Sequence, residues 1–442
     1  MEKRIIIIAG EPSGDLQASL LIAKIKEIEP QTQVLAMGGN FLRRAGARVF
    51  QDIQGLSVLG FFDALKKIGE FKQLMRTVLA KIEEVKPDAV ILVDFSGFNL
   101  RLAKKINPVR GRTPEASDGC LRQPASNGVN KRFKTIYYIS PQVWASRRGR
   151  VETIKKYIDK MLVIFEFEKE FYAQFGIEAE FVGHPLLDIV KPSMSKETAR
   201  KEFSLKEESP IFALLPGSRA GEVKRILPIM LESARLIQEK IPSAQFIISK
   251  PSSLDNIIYE KILNTTIRCQ PTERFSRFVI PAKAGIQTTG SSPIDNLNLK
   301  VGAVREPPLL IESRQYDCLN VADFVLVCSG TATLETAIMQ KPNVIIYKMG
   351  LLNYLLYRPL VKIPFIGMEN IVAGKSVAPE FIQFKAKPKA IASKVLEIFQ
   401  DKKQYELTRN ELAGIKEKLG EPQGPLRAAK SVLALINSAN NG

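Results

Sequence analysis

Ile211-Phe212-Ala213-Leu214-Leu215-Pro216-Gly217-Ser218-Arg219 joins an apolar run to a small-residue turn, and a helical pattern follows. Phe324-Val325-Leu326-Val327-Cys328 leads in the same way into Ser329-Gly330-Thr331-Ala332-Thr333-Leu334-Glu335. A short apolar run closed by a turn and then a helix is the pattern of a buried parallel strand feeding its crossover. At that junction unpaired N–H groups and the helix dipole favour an anion. Two such turns in one half of the chain suit a diphosphate held between them. Arg219 is able to neutralise and hydrogen-bond phosphate oxygens together, with Glu222 one turn into its helix. Gly217, Ser218, Ser329, Gly330 and Thr331 let the ligand approach backbone. Glu335, read as lying in the first turn of its helix, is placed for ribose hydroxyls; its blander role is dipole compensation. A sugar-nucleotide enzyme is the first hypothesis.

Outward from these turns the chain alternates strand and helix, which argues for parallel sheets of the doubly wound type. In the first half, strands fit Ile5–Ala9, Val34–Met37, Ala89–Val93, Thr135–Ile139 and Met161–Ile164, with helical patterns such as Leu16–Ile28 and Phe71–Val85 between them. The second half restarts at Ile211–Leu215 and runs through Gln245–Ser249, Phe324–Val327 and Asn343–Tyr347. The fold class expected is α/β, with two Rossmann-like αβα domains facing a cleft. Residues 1–190 form the first, 191–206 a hinge, 207–395 the second, and 396–442 C-terminal helices that cross back or are swapped. From pattern alone a dehydrogenase or a periplasmic-type binding protein fits as well. Residues 107–133 and 270–314, rich in Gly, Pro, Ser and Asn, exceed ordinary connections and are read as inserted, disordered surface loops.

The 442 residues carry 64 Lys and Arg against 46 Asp and Glu, a formal charge of +18. Neither a basic-aromatic RNA motif nor a zinc module accompanies it, so nucleic acid is not the expected partner. A phosphate-bearing ligand or an anionic membrane surface is favoured instead. No apolar run approaches the roughly 18–20 residues that span a bilayer, and the first residues read as a buried strand rather than a signal peptide. A cytoplasmic protein with free thiols is expected. His184 is the single histidine. That argues against a two-histidine metal site or a histidine relay, leaves no metal expected, and points to a carboxylate as any general base.

Asp94 closes the strand Ala89–Val93, where ligands bind in open α/β sheets, beside Phe95 and Phe98. It is the base candidate; an N-cap is the alternative. Glu11, Ser13, Gly14 and Asp15 follow the first strand without the dinucleotide spacing and suit sugar hydroxyls, or else cap their helix. Asn99, in the Asp94 turn, is grouped with them on the acceptor side. Trp144, with Arg147, Arg148 and Arg150 after it, suits a phosphate or a membrane, and His184 is more simply structural. Phe61, Phe62, Leu65 and Ile68, edged by lysines, resemble an interfacial segment as much as a core helix.

In this order Glu11-Pro12-Ser13-Gly14-Asp15, Asp94 through Asn99, Ser140-Pro141-Gln142-Val143-Trp144-Ala145, Phe167-Glu168, Gly183-His184-Pro185, Leu215 through Arg219, Ser329 through Glu335 and Asn370 through Gly374 resemble the lipid-A-disaccharide synthases. The resemblance implies a GT-B type, metal-independent and cofactor-free inverting glycosyltransferase. It would join UDP-2,3-diacylglucosamine to 2,3-diacylglucosamine 1-phosphate by a β-1,6 bond and release UDP. It further implies peripheral attachment to the inner membrane and, in many members, a homodimer with exchanged C-terminal segments. Asp94 falls on the family's essential aspartate, Arg219 on its donor-phosphate arginine, and Asn370 on a nucleotide-side polar residue. Another UDP-sugar glycosyltransferase or epimerase of the same fold, and an inactive membrane-surface nucleotide-binding protein, are the competing readings.

Overall fold

Ile5, Ile6, Ile7 and Ile8 are fully excluded from solvent. Four apolar residues in a row fit only a strand covered on both faces, and in the computed structural model they form the middle of a seven-stranded sheet. The structure describes residues 2–53, 68–107, 133–145, 148–266, 279–280, 307–358 and 363–440. The strands of the first sheet are β1 (Arg4–Ala9), β2 (Gln33–Gly38), β3 (Arg48–Asp52), β4 (Ala89–Val93), β5 (Lys134–Tyr138), β6 (Lys160–Val163) and β7 (Ala179–Phe181). They lie in the order β3-β2-β1-β4-β5-β6-β7, every pair parallel.

The second sheet contains β8 (Ile211–Leu215), β9 (Gln245–Lys250), β10 (Val279–Ile280), β11 (Leu309–Glu312), β12 (Phe324–Cys328), β13 (Asn343–Tyr347) and β14 (Glu380–Ile382). Their order is β10-β11-β9-β8-β12-β13-β14, again parallel throughout. Each sheet therefore reverses its direction of winding once: between β1 and β4 in the first, and between β8 and β12 in the second. The chain forms two compact units, one of Met1–Asp188, Leu355–Lys362 and Lys418–Gly442, the other of Ile189–Tyr354 and Ile363–Glu417.

The sequence places the strands well but misjudges three connections. The segment read as a hinge, 191–206, holds a helix, Lys196–Glu202, capped by the Ser195 hydroxyl. Ala199, Phe203 and Leu205 pack into the core of the second unit, so the segment is part of that domain. Within 270–314, residues 309–312 are not loop but β11, an internal strand whose Ile311 is fully buried. The prolines at 307 and 308 precede that strand, where a missing N–H interrupts no ladder. The rest of both suspected insertions, 108–132, 267–278 and 281–306, lies outside the described residues. The short strands β3 and β14 had no expectation attached to them.

The last helix, Gly424–Asn440, packs on the helix Pro12–Ile28 within the first unit. Gly183-His184-Pro185 receives the returning chain. The His184 N–H donates to the Leu419 carbonyl at 2.9 Å, and Arg427 Nε donates to Val182 at 2.8 Å. Gly183 has φ +84°, and a Cβ on Gly424 would lie 2.7 Å from the Gly183 oxygen. Burial lowers the His184 pKa to about 3, and its neutral Nδ1 accepts from the Leu186 N–H. The lone histidine is structural, as its motif alone suggested.

Asp15 corrects another expectation. Its carboxylate is buried and accepts from the N–H groups of Gly39, Phe41 and Leu42 at 2.6, 3.0 and 3.4 Å. It thus serves the start of the following helix, Asn40–Arg44, neither a sugar hydroxyl nor its own helix. Asp15→Ala would leave three donors at that helix start without an acceptor. A loss of about 2–3 kcal/mol is expected in denaturant unfolding.

Candidate active site

β1 and β4 are adjacent strands on opposite sides of the first reversal, so the turns after them meet at the switch point where open α/β sheets bind ligands. The turn after β4 is strained. Asp94 and Phe95 have φ +44° and +43°, both left-handed, and Ile139 after β5 has φ +65°. Three non-glycine residues in that region carry a conformational cost that the surroundings must offset. Tyr137, fully buried on β5, donates its hydroxyl to the Asp94 carbonyl. The Asn99 amide donates to the carbonyls of Val93 and Asp94 at 3.1 and 2.9 Å. These contacts fix the backbone and leave the Asp94 side chain half-buried at the sheet's edge. Gly10 is required beneath it, because a Cβ there would lie 2.1 Å from the Phe95 ring.

Asn99 is consequently not a sugar-side group. It is fully buried and acts on the Asp94 backbone. Gly14 is buried against Ala9 and Val93 and packs the helix onto the sheet. Glu11, the N-cap position of that helix, and Ser13 in its first turn stay half-buried at the edge. Arg150 donates to Ser96 Oγ at 2.9 Å, beside the Asp94 turn. Asp94 and Arg150 act in opposite senses on the Tyr137 hydroxyl, which burial above all holds well above its ordinary pKa. Tyr137 escaped the sequence reading because it sits inside a strand pattern. The basic run after Trp144 did signal Arg150, without saying that it reaches Ser96.

Trp144 and Glu168 form a second buried element at this edge. Trp144 Nε1 donates to Glu168 Oε1 at 3.1 Å, and the Phe165 N–H donates to Oε2 at 3.3 Å. Ser140 Oγ lies 2.6 Å from the Tyr172 hydroxyl. Burial raises the Glu168 pKa to about 7, against hydrogen bonds from Trp144, Phe165, Ser140 and Ile164 that lower it. Phe61, Phe62 and Leu65 lie outside the described residues, as does the side chain of Ile68, which begins the helix Ile68–Val85.

In the second unit β8 and β12 are adjacent, with Leu215 opposite Val327, so the two turns that share a design are neighbours at the other reversal. Gly217 has φ +114°, and a Cβ there would lie 2.6 Å from the Glu222 carboxylate. Arg219 is the N-cap residue of the helix Ala220–Lys240, and its guanidinium is 3.3 Å from Glu222. Gly330, with φ +154°, precedes the helix Thr331–Ile338. Ser218, Gly330 and Thr331 are exposed, and Ser329 Oγ donates to the Ile366 carbonyl at 3.1 Å. Two helix N-termini with small residues and an arginine therefore share one edge, a ready anion site.

Two residues assigned to the nucleotide belong elsewhere. Glu335 is in the second turn of its helix, is buried, and accepts from Gln315 and from the Tyr316 hydroxyl at 3.1 Å. Its burial raises its pKa. Asn370 is fully buried; it accepts from the N–H groups of Val377 and Ala378 and donates to the Ala378 carbonyl and to Glu380. Glu380 also takes the N–H groups of Ile366 and Gly367. Asn370 thereby secures the segment that carries the Ser329 partner Ile366.

Two parallel-sheet α/β domains with phosphate-suited turns at a switch point define the GT-B class of sugar-nucleotide enzymes. UDP-GlcNAc 2-epimerase from Neisseria meningitidis bound to UDP-GlcNAc shares the fold at TM-score 0.58 and 12% identity, covering 99% of this chain and 100% of that one. The calicheamicin glycosyltransferase CalG4 shares it at 0.53 and 13%, covering 99% of each. The chain matches the lipid-A-disaccharide synthetase family over residues 5–114, 123–278 and 299–430, and it belongs to that family of glycosyltransferases. Lipid-A-disaccharide synthase from Syntrophus aciditrophicus (strain SB) is 36% identical over 99% of both chains. The protein of that name from Geobacter sulfurreducens is 35% identical, covering 98% of this chain and 97% of its own. The family match breaks at 115–122 and 279–298, inside the two stretches read as insertions.

Trp144 is the single tryptophan of the chain, so its fluorescence reports on Glu168 alone. The raised pKa means that Glu168 favours folding below its ordinary value of 4.5, and that this contribution is lost as pH rises through about 7. Tryptophan emission is expected to titrate with a midpoint near 7 and to stay flat in Glu168→Gln. A flat wild-type curve contradicts the assignment.

Proposed function

We propose that this chain forms the β-1,6-linked lipid A disaccharide 1-phosphate from UDP-2,3-diacylglucosamine and 2,3-diacylglucosamine 1-phosphate, with release of UDP. The observation that carries the reading is the adjacency of β8 and β12, which brings the Arg219 and Gly330 turns to one edge. In this reading those turns hold the diphosphate of the donor. Arg219 and the backbone N–H groups meet the charge that develops on departing UDP, so they act most strongly in the transition state. Ser329, held to Ile366, keeps the second turn in place.

The acceptor belongs to the first unit. Its 6-hydroxyl attacks the anomeric carbon from the face opposite UDP, in one displacement that inverts the configuration. Asp94 removes the hydroxyl proton as the new C–O bond forms and the bond to UDP breaks. Tyr137 and Asn99 position the backbone of that turn, and Glu11 and Ser13 offer hydroxyl contacts at the same edge. Acyl chains on both substrates place the reaction at the cytoplasmic surface of the inner membrane, and a homodimer belongs to the same reading. No helix among the described residues is long and apolar enough to cross a membrane.

Asp94→Asn is expected to lower turnover by roughly 10²–10⁴-fold with UDP affinity unchanged. Arg219→Ala is expected to weaken UDP binding about 10–100-fold. Calorimetry for UDP and a steady-state assay check both; normal turnover in Asp94→Asn removes the base, and unchanged UDP affinity in Arg219→Ala removes the donor site.

A further inference from the structure

We propose that the helix Leu351–Tyr357, together with the turn Gln383–Lys385, is a docking surface for an anionic lipid bilayer. Leu351, Leu352 and Phe384 expose 54%, 58% and 66% of their surface, and Leu355, one turn beyond Leu351, exposes 59%. Single exposed leucines are ordinary, but a group of large apolar side chains on one stretch marks a surface that is covered in use.

The patch is held in shape. Gln383 accepts from the Met349 N–H and donates to the Met349 carbonyl, each at 3.1 Å, which ties the turn to the start of the helix. Gln383 is buried with φ +51°, a left-handed conformation that a non-glycine residue adopts only at a cost. Gln383 is thus turned inward while its neighbour Phe384 lies in solvent, where its ring meets Tyr354 edge-on at 6.0 Å.

Charge selects the occupant. From Thr336 to Met368, and again from Phe381 to Leu396, the chain has no Asp or Glu. Arg358, Lys385, Lys387 and Lys389 are exposed in those stretches. Apolar side chains among cations alone match acyl chains beneath phosphate headgroups. A second copy of a chain with charge +18 would bring cations against cations.

The location agrees with this occupant. The helix follows β13 and the turn follows β14, two paired strands, so both stand at the sheet edge that carries the Gly217 and Gly330 turns. Arg225, from the helix that Arg219 caps, donates to the Lys348 carbonyl at 3.4 Å. Docking would therefore bring the nucleotide edge close to the lipid headgroups. The inference rests on the proposed function in one respect, that lipid-borne substrates call for such a surface.

Flotation of the full chain with phosphatidylglycerol-containing vesicles and with phosphatidylcholine vesicles tests it. Binding is expected to the anionic vesicles. Leu351→Ser/Leu352→Ser/Phe384→Ser should lower the bound fraction by roughly tenfold or more, with UDP affinity and melting temperature retained. Lys385→Glu/Lys387→Glu/Lys389→Glu changes only exposed positions and should lower it as well. Unchanged flotation of both variants overturns the proposal. So does a loss confined to Phe61→Ser/Phe62→Ser/Leu65→Ser, or sedimentation in which the leucine variant splits a dimer while still binding vesicles. Disaccharide formation from detergent-dispersed substrates is read separately; its absence would remove the proposed function and leave the vesicle result standing.

Discussion

Parallel pairing at the two reversals, β1 against β4 and β8 against β12, is the constraint on which the described sites depend. A strand next to the reversal has no crossover helix closing the gap beside it, so the turns after the two neighbours are left facing a common opening. In the first unit that pairing sets Asp94 next to the turn containing Glu11 and Ser13. In the second it sets Arg219 next to Gly330. A slip of one residue in either register would turn Val93 or Leu215 to the other face and move the functional turn with it. The unbroken burial of β1, β4, β8 and β12 prevents that slip.

Strain and burial are concentrated at the first of these edges. Asp94, Phe95 and Ile139 hold left-handed conformations there, and Tyr137 and Asn99 supply the hydrogen bonds that offset them. A flexible turn would let a general base sample many positions. A turn held by a buried tyrosine and a buried amide keeps its carboxylate near one position, which is what proton removal during a displacement needs. The second edge works differently: backbone N–H groups and one arginine offer fixed positive potential where a leaving diphosphate gains charge.

The strands next to the reversals were legible in the sequence because both faces are buried, which leaves continuous apolar runs such as Ile5–Ile8 and Phe324–Cys328. The short β3 and β14 are only partly buried and carry no such run. β11 was hidden by the prolines and polar residues around Leu309-Leu310-Ile311. The turns themselves were legible through Gly217, Arg219 and Gly330. Polar residues within the same motifs were harder. Asp15, Asn99, Glu335 and Asn370 look like ligand groups in one dimension, yet each meets backbone or side-chain partners that only the folded chain brings near. Tyr137 shows the reverse: an unremarked strand residue whose hydroxyl reaches the carbonyl of Asp94, brought there by the pairing of β4 with β5.

Family membership, the paired turns and the Asp94 edge converge on transfer of a sugar from UDP to a lipid-borne hydroxyl. Purified protein given UDP-2,3-diacylglucosamine and 2,3-diacylglucosamine 1-phosphate, followed by mass spectrometry, tests that claim most directly. Disaccharide 1-phosphate and UDP appearing in equal amounts is the result expected. UDP without disaccharide would mean hydrolysis rather than transfer, and neither product would mean a nucleotide fold that does not catalyse this reaction; each contradicts the account.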